Sequence, residues 1–232
     1  MKTICIIPAR GGSKGIPGKN IMDFCGKPLL AWSILQARQS TNVTDVYVTS
    51  DDDHILKIAA ECGGKAIKRP SHLATDLATS EAALQHALDQ IESQTSTAID
   101  AIVFLQATSP LRTPQDINGA IDEFHTRGAD SVFSAARLDD FLIWSLGNGN
   151  LDSITYNYRK RGRRQDRDPY YLENGSIYVF KPEILRKEGN RLGGRIEIFC
   201  MPFWKSFEID SYEDIGLCEY LMRNRILNTP NT

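Results

Sequence analysis

The stretch that most constrains this chain is its beginning. Thr3-Ile-Cys-Ile-Ile-Pro8 is followed directly by Ala-Arg10-Gly-Gly-Ser-Lys14-Gly-Ile-Pro-Gly-Lys19-Asn20. The apolar run fits a buried strand that stops at Pro8, as in sheets covered by helices. The loop after it holds four glycines, one serine and three cations. Glycines let a backbone approach a ligand closely. Successive backbone N–H groups in such a loop form an anion-binding concavity, and the cations add charge. The ligand this describes is a polyphosphate.

Two familiar phosphate loops fail to match. A Walker A loop needs Gly-x4-Gly-Lys-Ser/Thr, but Ser13 stands at the first glycine and Asn20 replaces the metal-holding hydroxyl. The fingerprint Gly-x-Gly-x-x-Gly is not met in register by Gly11, Gly12, Gly15 and Gly18, which argues against an NAD-dependent oxidoreductase. The plain alternative is a mobile surface loop. Cations and glycines interleaved immediately after a strand argue against it.

Along the chain, strands and helices alternate. Val43 to Ser50, Lys65 to Lys68, Asp100 to Leu105 and Asp130 to Ala135 read as further strands. Helical spacing occupies the stretch between Gly26 and Ser40, with Pro28 near its start. Another helix runs from about Asp52 to Cys62, with an acidic first turn. Thr79 or Ser80 can cap a third, and Thr113 with Pro114 opens a fourth. This alternation predicts an α/β fold, a Rossmann-like, mostly parallel sheet with helices on both faces. Ligands in such sheets sit at the carboxyl ends of the strands, where the glycine loop lies.

The 232 residues suffice for one α/β domain spanning 1–232, with an inserted arm at about 138–170. A net charge of −2 gives no reason to expect nucleic acid or membrane as a partner. No apolar stretch approaches bilayer-spanning length. The first strand begins almost at once, leaving no room for a signal peptide. Five scattered cysteines and four isolated histidines show no metal-ligand spacing, and reduced thiols in a cytoplasmic protein are the simplest reading. Within the arm the run Arg159-Lys-Arg-Gly-Arg-Arg164 admits three readings: a nucleic-acid patch, a solvated arm, or cations projected towards an anionic substrate, in this or a neighbouring subunit. Asp166, Asp168 and the acidic overall balance disfavour the first.

Glu208-Ile-Asp210 precedes the last helix, which opens near Ser211. If this segment is a strand, the two carboxylates share a side. Hard oxygen ligands shared with substrate phosphates are how proteins usually hold Mg²⁺. The other reading makes Asp210 or Ser211 a helix cap and leaves Glu208 solvated. Gln106 closes the Asp100–Leu105 strand and can offer donors and acceptors to a base, sugar or carboxylate. The loop Arg69 to Ser80 has few large apolar groups and could wrap a base.

With these residues assembled, the chain resembles the acylneuraminate cytidylyltransferases, the CMP-sialic acid synthetase family, over nearly its whole length. Ile7-Pro-Ala-Arg-Gly-Gly-Ser-Lys-Gly-Ile-Pro-Gly-Lys-Asn20 is the most specific match. Leu105-Gln-Ala-Thr-Ser-Pro-Leu-Arg112, Glu173-Asn-Gly-Ser-Ile-Tyr178 and Glu208-Ile-Asp210 follow in the family's order. Synthetases for 3-deoxy-octulosonate open with a different loop, so the resemblance is to the nonulosonate type. It implies a nucleotidyltransferase fold with a small dimerisation arm, acting on CTP and a nonulosonic acid. The implied nucleotide-binding residues are Arg10, Gly11, Gly12, Ser13, Lys14, Lys19 and Asn20, with Arg10, Ser13, Lys14 and Lys19 at the phosphates and Asn20 close to the nucleotide, and Arg69, Ala78 and Ser80 at the cytosine. Gln106, Arg164, Asn174 and Tyr178 would lie near the sugar acid. Asp210, with Glu208, would hold Mg²⁺ (or Mn²⁺), and Lys19, Arg10 and Asp210 would carry the catalytic charge. The resemblance also implies a homodimer whose arms complete the partner's site.

Two departures bear on the chemistry. The family commonly has Asp-Ile-Asp where this chain has Glu208-Ile-Asp210. Asn190-Arg-Leu-Gly-Gly-Arg195 stands where N-acetylneuraminate synthetases carry an aromatic pair. The expected substrate therefore extends to a legionaminic, pseudaminic or deaminated nonulosonic acid. The rivals are another sugar nucleotidyltransferase, including one for 3-deoxy-octulosonate, and a nucleotide sensor without catalysis.

Overall fold

The computed structural model describes residues 2–95, 98–138 and 141–228, the side chain of Arg164 excepted. Among these residues eleven strands and six α-helices follow in chain order. They are β1 (Thr3–Pro8), β2 (Asp23–Phe24), β3 (Lys27–Pro28), α1 (Leu29–Gln39), β4 (Asp45–Ser50), α2 (Asp53–Glu61), β5 (Lys65–Lys68), α3 (Ser80–Gln94) and β6 (Ala101–Leu105). Then come α4 (Pro114–Thr126), β7 (Ser131–Leu138), β8 (Trp144–Gly147), β9 (Asn150–Ser153), β10 (Tyr170–Phe180), α5 (Pro182–Glu188), β11 (Ile196–Cys200) and α6 (Tyr212–Met222).

Seven strands form one sheet in the order β11-β7-β10-β6-β1-β4-β5. β10 runs antiparallel to both its neighbours and every other pairing is parallel. Alternate residues of the strands fill two cores. On one face Cys5, Ile7, Val48 and Val103 meet Leu30 and Ile34 of α1, Ile55 of α2 and Ile117 and Phe124 of α4. On the other, Ile4, Ile6 and Ile102 meet Leu84 and Leu88 of α3 and Leu185 of α5. Burial on both faces explains why β1 and β6 read as unbroken apolar runs.

The helix starts follow from their caps. The Asp52 carboxylate accepts from the N–H groups of His54 and Ile55, and the Thr79 hydroxyl from that of Ala82. Thr113 and Asp116 form a capping box with Pro114 at the first helical position.

A third, smaller core lies at the carboxyl ends of the strands. There Ile16 of the glycine loop, Phe24, Leu111, Ile209 and the α6 residues Cys218, Leu221 and Met222 pack together. One buried isoleucine from the glycine loop and one from the acidic segment thus share a core, and that holds two polar segments distant in sequence against each other.

Two expectations need correction. Glu208 to Asp210 is not a strand: it is irregular chain after a short 3₁₀ turn at Phe203–Ser206, tied by the Ile209 N–H donating to the Thr108 carbonyl at 2.8 Å. The 138–170 arm, loop-like in its sequence, is not wholly loop. β8 and β9 pair antiparallel as a hairpin turning through Asn148 and Gly149, both at positive φ. Residues 139–140 of that segment lie outside the described residues.

Candidate active site

The loop after β1 is built to stand close to its neighbours. A Cβ at Gly15 would sit 2.6 Å from the Asp210 carbonyl oxygen, and one at Gly11 would sit 2.8 Å from the Asp52 carboxylate. Neither glycine tolerates a side chain without something shifting. Gly11 N–H donates to Asp51 Oδ1 at 3.1 Å. The buried Asn20 closes the loop by donating through Nδ2 to the Arg10 carbonyl at 2.9 Å. A Cβ at Gly12 would meet nothing within 4 Å, and Ser13 is half-buried on the same loop.

Each of the three loop cations touches a carboxylate. Lys19 Nζ donates to Asp210 Oδ1 at 3.0 Å and to the Ile209 carbonyl at 2.9 Å. Arg10 Nη1 lies 3.1 Å from Asp76 Oδ1, and Lys14 Nζ lies 2.8 Å from Asp76 Oδ2. The cations hold the Asp76 carboxyl below the usual carboxylate range, chiefly through the Lys14 hydrogen bond.

Beside this loop lies a cavity of about 270 Å³, lined by Arg10, Arg69, Thr75, Asp76, Ala78 and Ser80 among others. The three residues expected at the cytosine are therefore brought together with Arg10. Arg69 is 5% exposed, and its Nε and Nη2 have no hydrogen-bond partner in the protein. Its nearest carboxylate is Asp51, 3.8 Å away. Burial first, and then the neighbouring Arg10, lower its pKa, with Asp51 opposing. A buried guanidinium with unused donors calls for an acceptor from outside the chain.

On the other side of the loop, β10 breaks register between Glu173 and Tyr178. Gly175 sits in that break at φ 63°, and a Cβ there would lie 2.4 Å from both Gln106 Oε1 and Glu208 Oε1. Gln106 and Glu208 thus converge on one glycine. Burial, then the nearby Asp210, push the Glu208 carboxyl up to about 7. Beneath them, fully buried Arg112 donates to the carbonyls of Gln106 (2.8 Å), Ser109 (2.7 Å) and Ser176 (2.9 Å), bracing the two turns on which Gln106 and Gly175 stand.

The remaining residues expected at the sugar are placed differently. Asn174 is buried and turned into the protein, accepting from Ser134 Oγ at 2.6 Å and donating to Met201 Sδ at 3.6 Å. Its visible work is to fix the break in β10. Tyr178 stacks on Phe104 with ring centroids 5.4 Å apart, and its hydroxyl donates to Glu173. Burial and then Glu173 raise its pKa. The Arg164 side chain lies outside the described residues. The sequence reading missed Ile16, Asp51, Asp76, Arg112 and Gly175 as parts of this site. Ile16, Arg112 and Gly175 stood inside the stretches that carry the resemblance and Asp76 inside the loop expected to wrap a base, whereas Asp51 carried no such signal.

A metal fits the donor chemistry here. The Asp210 side chain is 73% exposed, and Glu208 stands two residues before it. Among the described residues no group of three or more His, Cys, Asp and Glu is placed to hold an ion alone. One or two carboxylates completed by phosphate oxygens is how Mg²⁺ is commonly held beside nucleotides.

Comparisons with known proteins find both relatives and solved structures of the same fold. A cytidylyltransferase family model matches residues 4–199. The pseudaminic acid cytidylyltransferase of Campylobacter jejuni subsp. jejuni serotype O:23/36 (strain 81-176) is 32% identical over 226 residues, 96% of this chain and 97% of that protein. N-acylneuraminate cytidylyltransferase A of Danio rerio is 35% identical over 210 residues, 88% of this chain and 47% of that protein. Among solved structures, a CMP:2-keto-3-deoxy-manno-octonic acid synthetase complexed with CTP superposes with a TM-score of 0.69 at 18% identity, covering 96% of this chain and 99% of that one. The 4-diphosphocytidyl-2C-methyl-D-erythritol synthase of Anaerococcus prevotii gives a TM-score of 0.67 at 11% identity, covering 96% of each chain. Both structures share the fold.

Proposed function

This chain belongs to the cytidylyltransferase family, and from that premise we propose that it joins CTP to a sialic-acid-like nonulosonic acid, giving a CMP-sugar and pyrophosphate. The observation that carries the reading is the Lys19–Asp210 contact, which sets a phosphate-loop cation beside a metal-type carboxylate 191 residues away. Cytosine would enter the cavity at Arg69, Ala78 and Ser80, where the unused Arg69 donors meet acceptors on the base. The phosphates would lie along Arg10 to Lys19. The sugar acid would lie against Gln106 and Gly175.

The sugar's anomeric hydroxyl would attack the α-phosphorus in line, breaking its bond to the departing pyrophosphate. The protein works chiefly by positioning and charge stabilisation. Lys19, Arg10 and Lys14 face the charge that builds on pyrophosphate. Mg²⁺ held by Asp210, with Glu208, would supply Lewis-acid polarisation of phosphate oxygens. No side chain is assigned as general base.

The nearly full-length pseudaminic acid relative supports a pseudaminic-type substrate, and the Asn190 to Arg195 stretch points away from plain N-acetylneuraminate. The second copy of the chain belongs to the same proposal. Leu146 and Leu151 of the β8–β9 hairpin are 72% and 64% exposed. They face each other across the hairpin, an exposed apolar pair that a second copy would cover.

The test is pyrophosphate release from CTP and Mg²⁺ with pseudaminic, legionaminic, deaminated neuraminic, N-acetylneuraminic and 3-deoxy-octulosonic acids. Release with one nonulosonate supports the reading and names the substrate. Release only with the octulosonate moves the chain to the neighbouring type. Silence across the panel overturns the reaction. Asp210→Ala should abolish release while leaving CTP binding largely intact, and a near-normal rate would exclude the metal role.

A further inference from the structure

Asp76 has no role in the reaction as written, yet it touches two of the groups that reaction needs. It sits in the exposed chain between the 3₁₀ turn Ser71–Leu73 and α3. One carboxylate oxygen meets Arg10 and the other meets Lys14. Arg10 Nη1 also donates to the neighbouring Thr75 carbonyl at 3.2 Å. Asp76 and Thr75 line the same cavity as Arg69 and Ser80. One short segment therefore forms a wall of the base cavity and binds the outer cations of the phosphate loop.

We propose that Asp76 is a surrogate anion, occupying Arg10 and Lys14 until a polyphosphate displaces it and reclaiming them as pyrophosphate leaves. The inference rests on the phosphate role of the loop. A phosphate chain reaching both cations brings more negative charge than one carboxylate, and two anions held together there repel. One of them must yield. The contact suits such an exchange: the Asp76 side chain is 48% exposed and that of Lys14 76% exposed. Ion pairs in this setting are weak enough to open readily. The effect is on specificity. A ligand must carry enough charge to displace the carboxylate, whereas an uncharged nucleoside need not displace it at all.

The experiment is calorimetric titration of inorganic pyrophosphate, in chelator, into the wild type and Asp76→Asn. The variant keeps the shape and removes the charge. Asp76→Asn should bind pyrophosphate about threefold to tenfold more tightly, the scale of two exposed pairs removed. Equal pyrophosphate affinity would make Asp76 a bystander and overturn the proposal. Weaker affinity would overturn it too, because Asp76 would then help to hold the phosphates. Binding to neither protein would remove the loop's phosphate role and the gate together. Asp76→Ala repeats the test without the amide. The probe contains neither nucleoside nor sugar acid. A tightened variant beside a silent sugar panel would therefore leave the gate standing while the reaction falls.

Discussion

Asp214 shows how a single side chain can set the position of a reactive one. Its carboxylate accepts from the backbone N–H of Asp210 at 2.9 Å, the N–H of Ser211 at 2.7 Å and the Ser211 hydroxyl at 2.9 Å. Ser211 thus caps α6 with Asp214 in its first turn, and the Asp210 carboxylate is left for other work. These hydrogen bonds, first of all the one from Asp210, hold the Asp214 carboxyl below its ordinary range. A lowered pKa contributes stability that is present above the unfolded value and lost as pH falls through the folded one. Asp214→Asn should therefore cost about 1 kcal/mol at neutral pH, on the scale of a lost cap. The difference from wild type should shrink towards zero as the pH falls through and below the usual aspartate range. Thermal melts of both proteins across pH 3 to 7 check this, and a difference that stayed constant with pH would remove the carboxylate's charge from the explanation. Turnover should fall by more than the stability change alone accounts for, because Asp210 loses its backbone anchor.

At the scale of elements, the break in β10 makes the sharpest demand. Gly175 needs a left-handed backbone, and it also needs room for Gln106 and Glu208 where a Cβ would stand. Gly128, at φ 60°, needs only the backbone, since nothing lies within 4 Å of its Cβ position. Alanine at either site should cost about 1–2 kcal/mol for the left-handed conformation. Only Gly175→Ala should also reduce kcat, by at least about tenfold, because the added carbon displaces both side chains at the site. Melting temperatures and kcat measured side by side decide it, and equal kcat in the two variants would show that the close approach is without consequence. This contrast also marks what could be read from the sequence. The parallel strands β1, β4, β5, β6 and β7, their helices and the caps at Thr79 and Thr113 carry local signals, so this part of the doubly covered sheet was legible. The glycine loop was legible as a cationic turn directly after β1, and the family resemblance grouped Arg69, Ala78 and Ser80, which share one cavity. What was not legible depends on partners far along the chain. β10 runs against its neighbours because of where α4 and β7 deliver it, which no window of its own residues records. Asn174 resembles a ligand-facing amide in sequence, whereas Ser134 and Met201 draw it inward. The carboxylates at Glu208 and Asp210 were expected on a strand, and it is Ile16 and Ile209 in the third core that set them beside the loop.

For the whole molecule, the cores account for the sheet and its helices but not for the hairpin. Along β8 and β9 every residue from Trp144 to Gly147 and from Asn150 to Asp152 is exposed. Trp144 packs on Tyr156 and Tyr158 at 6.0 and 5.2 Å between ring centroids, giving the arm a small aromatic cluster of its own. Phe141 reaches back to Phe203 at 5.2 Å and fastens the arm's root to the body. A lone two-stranded hairpin is marginal in water, so an arm built this way gains its stability from what covers it. A second copy of the chain is the occupant that the proposed function supplies. Leu146→Glu with Leu151→Glu should then convert a dimer to a monomer in light scattering, since burying two new carboxylates at an apolar contact is prohibitive. The body should keep its circular dichroism, because neither leucine touches the three cores. Pyrophosphate release should fall in step with the monomer fraction if the arm completes a neighbouring site. Release that survived in a true monomer would confine the arm to assembly. A wild type that already ran as a monomer would overturn the dimer altogether and leave the exposed leucines to some other partner.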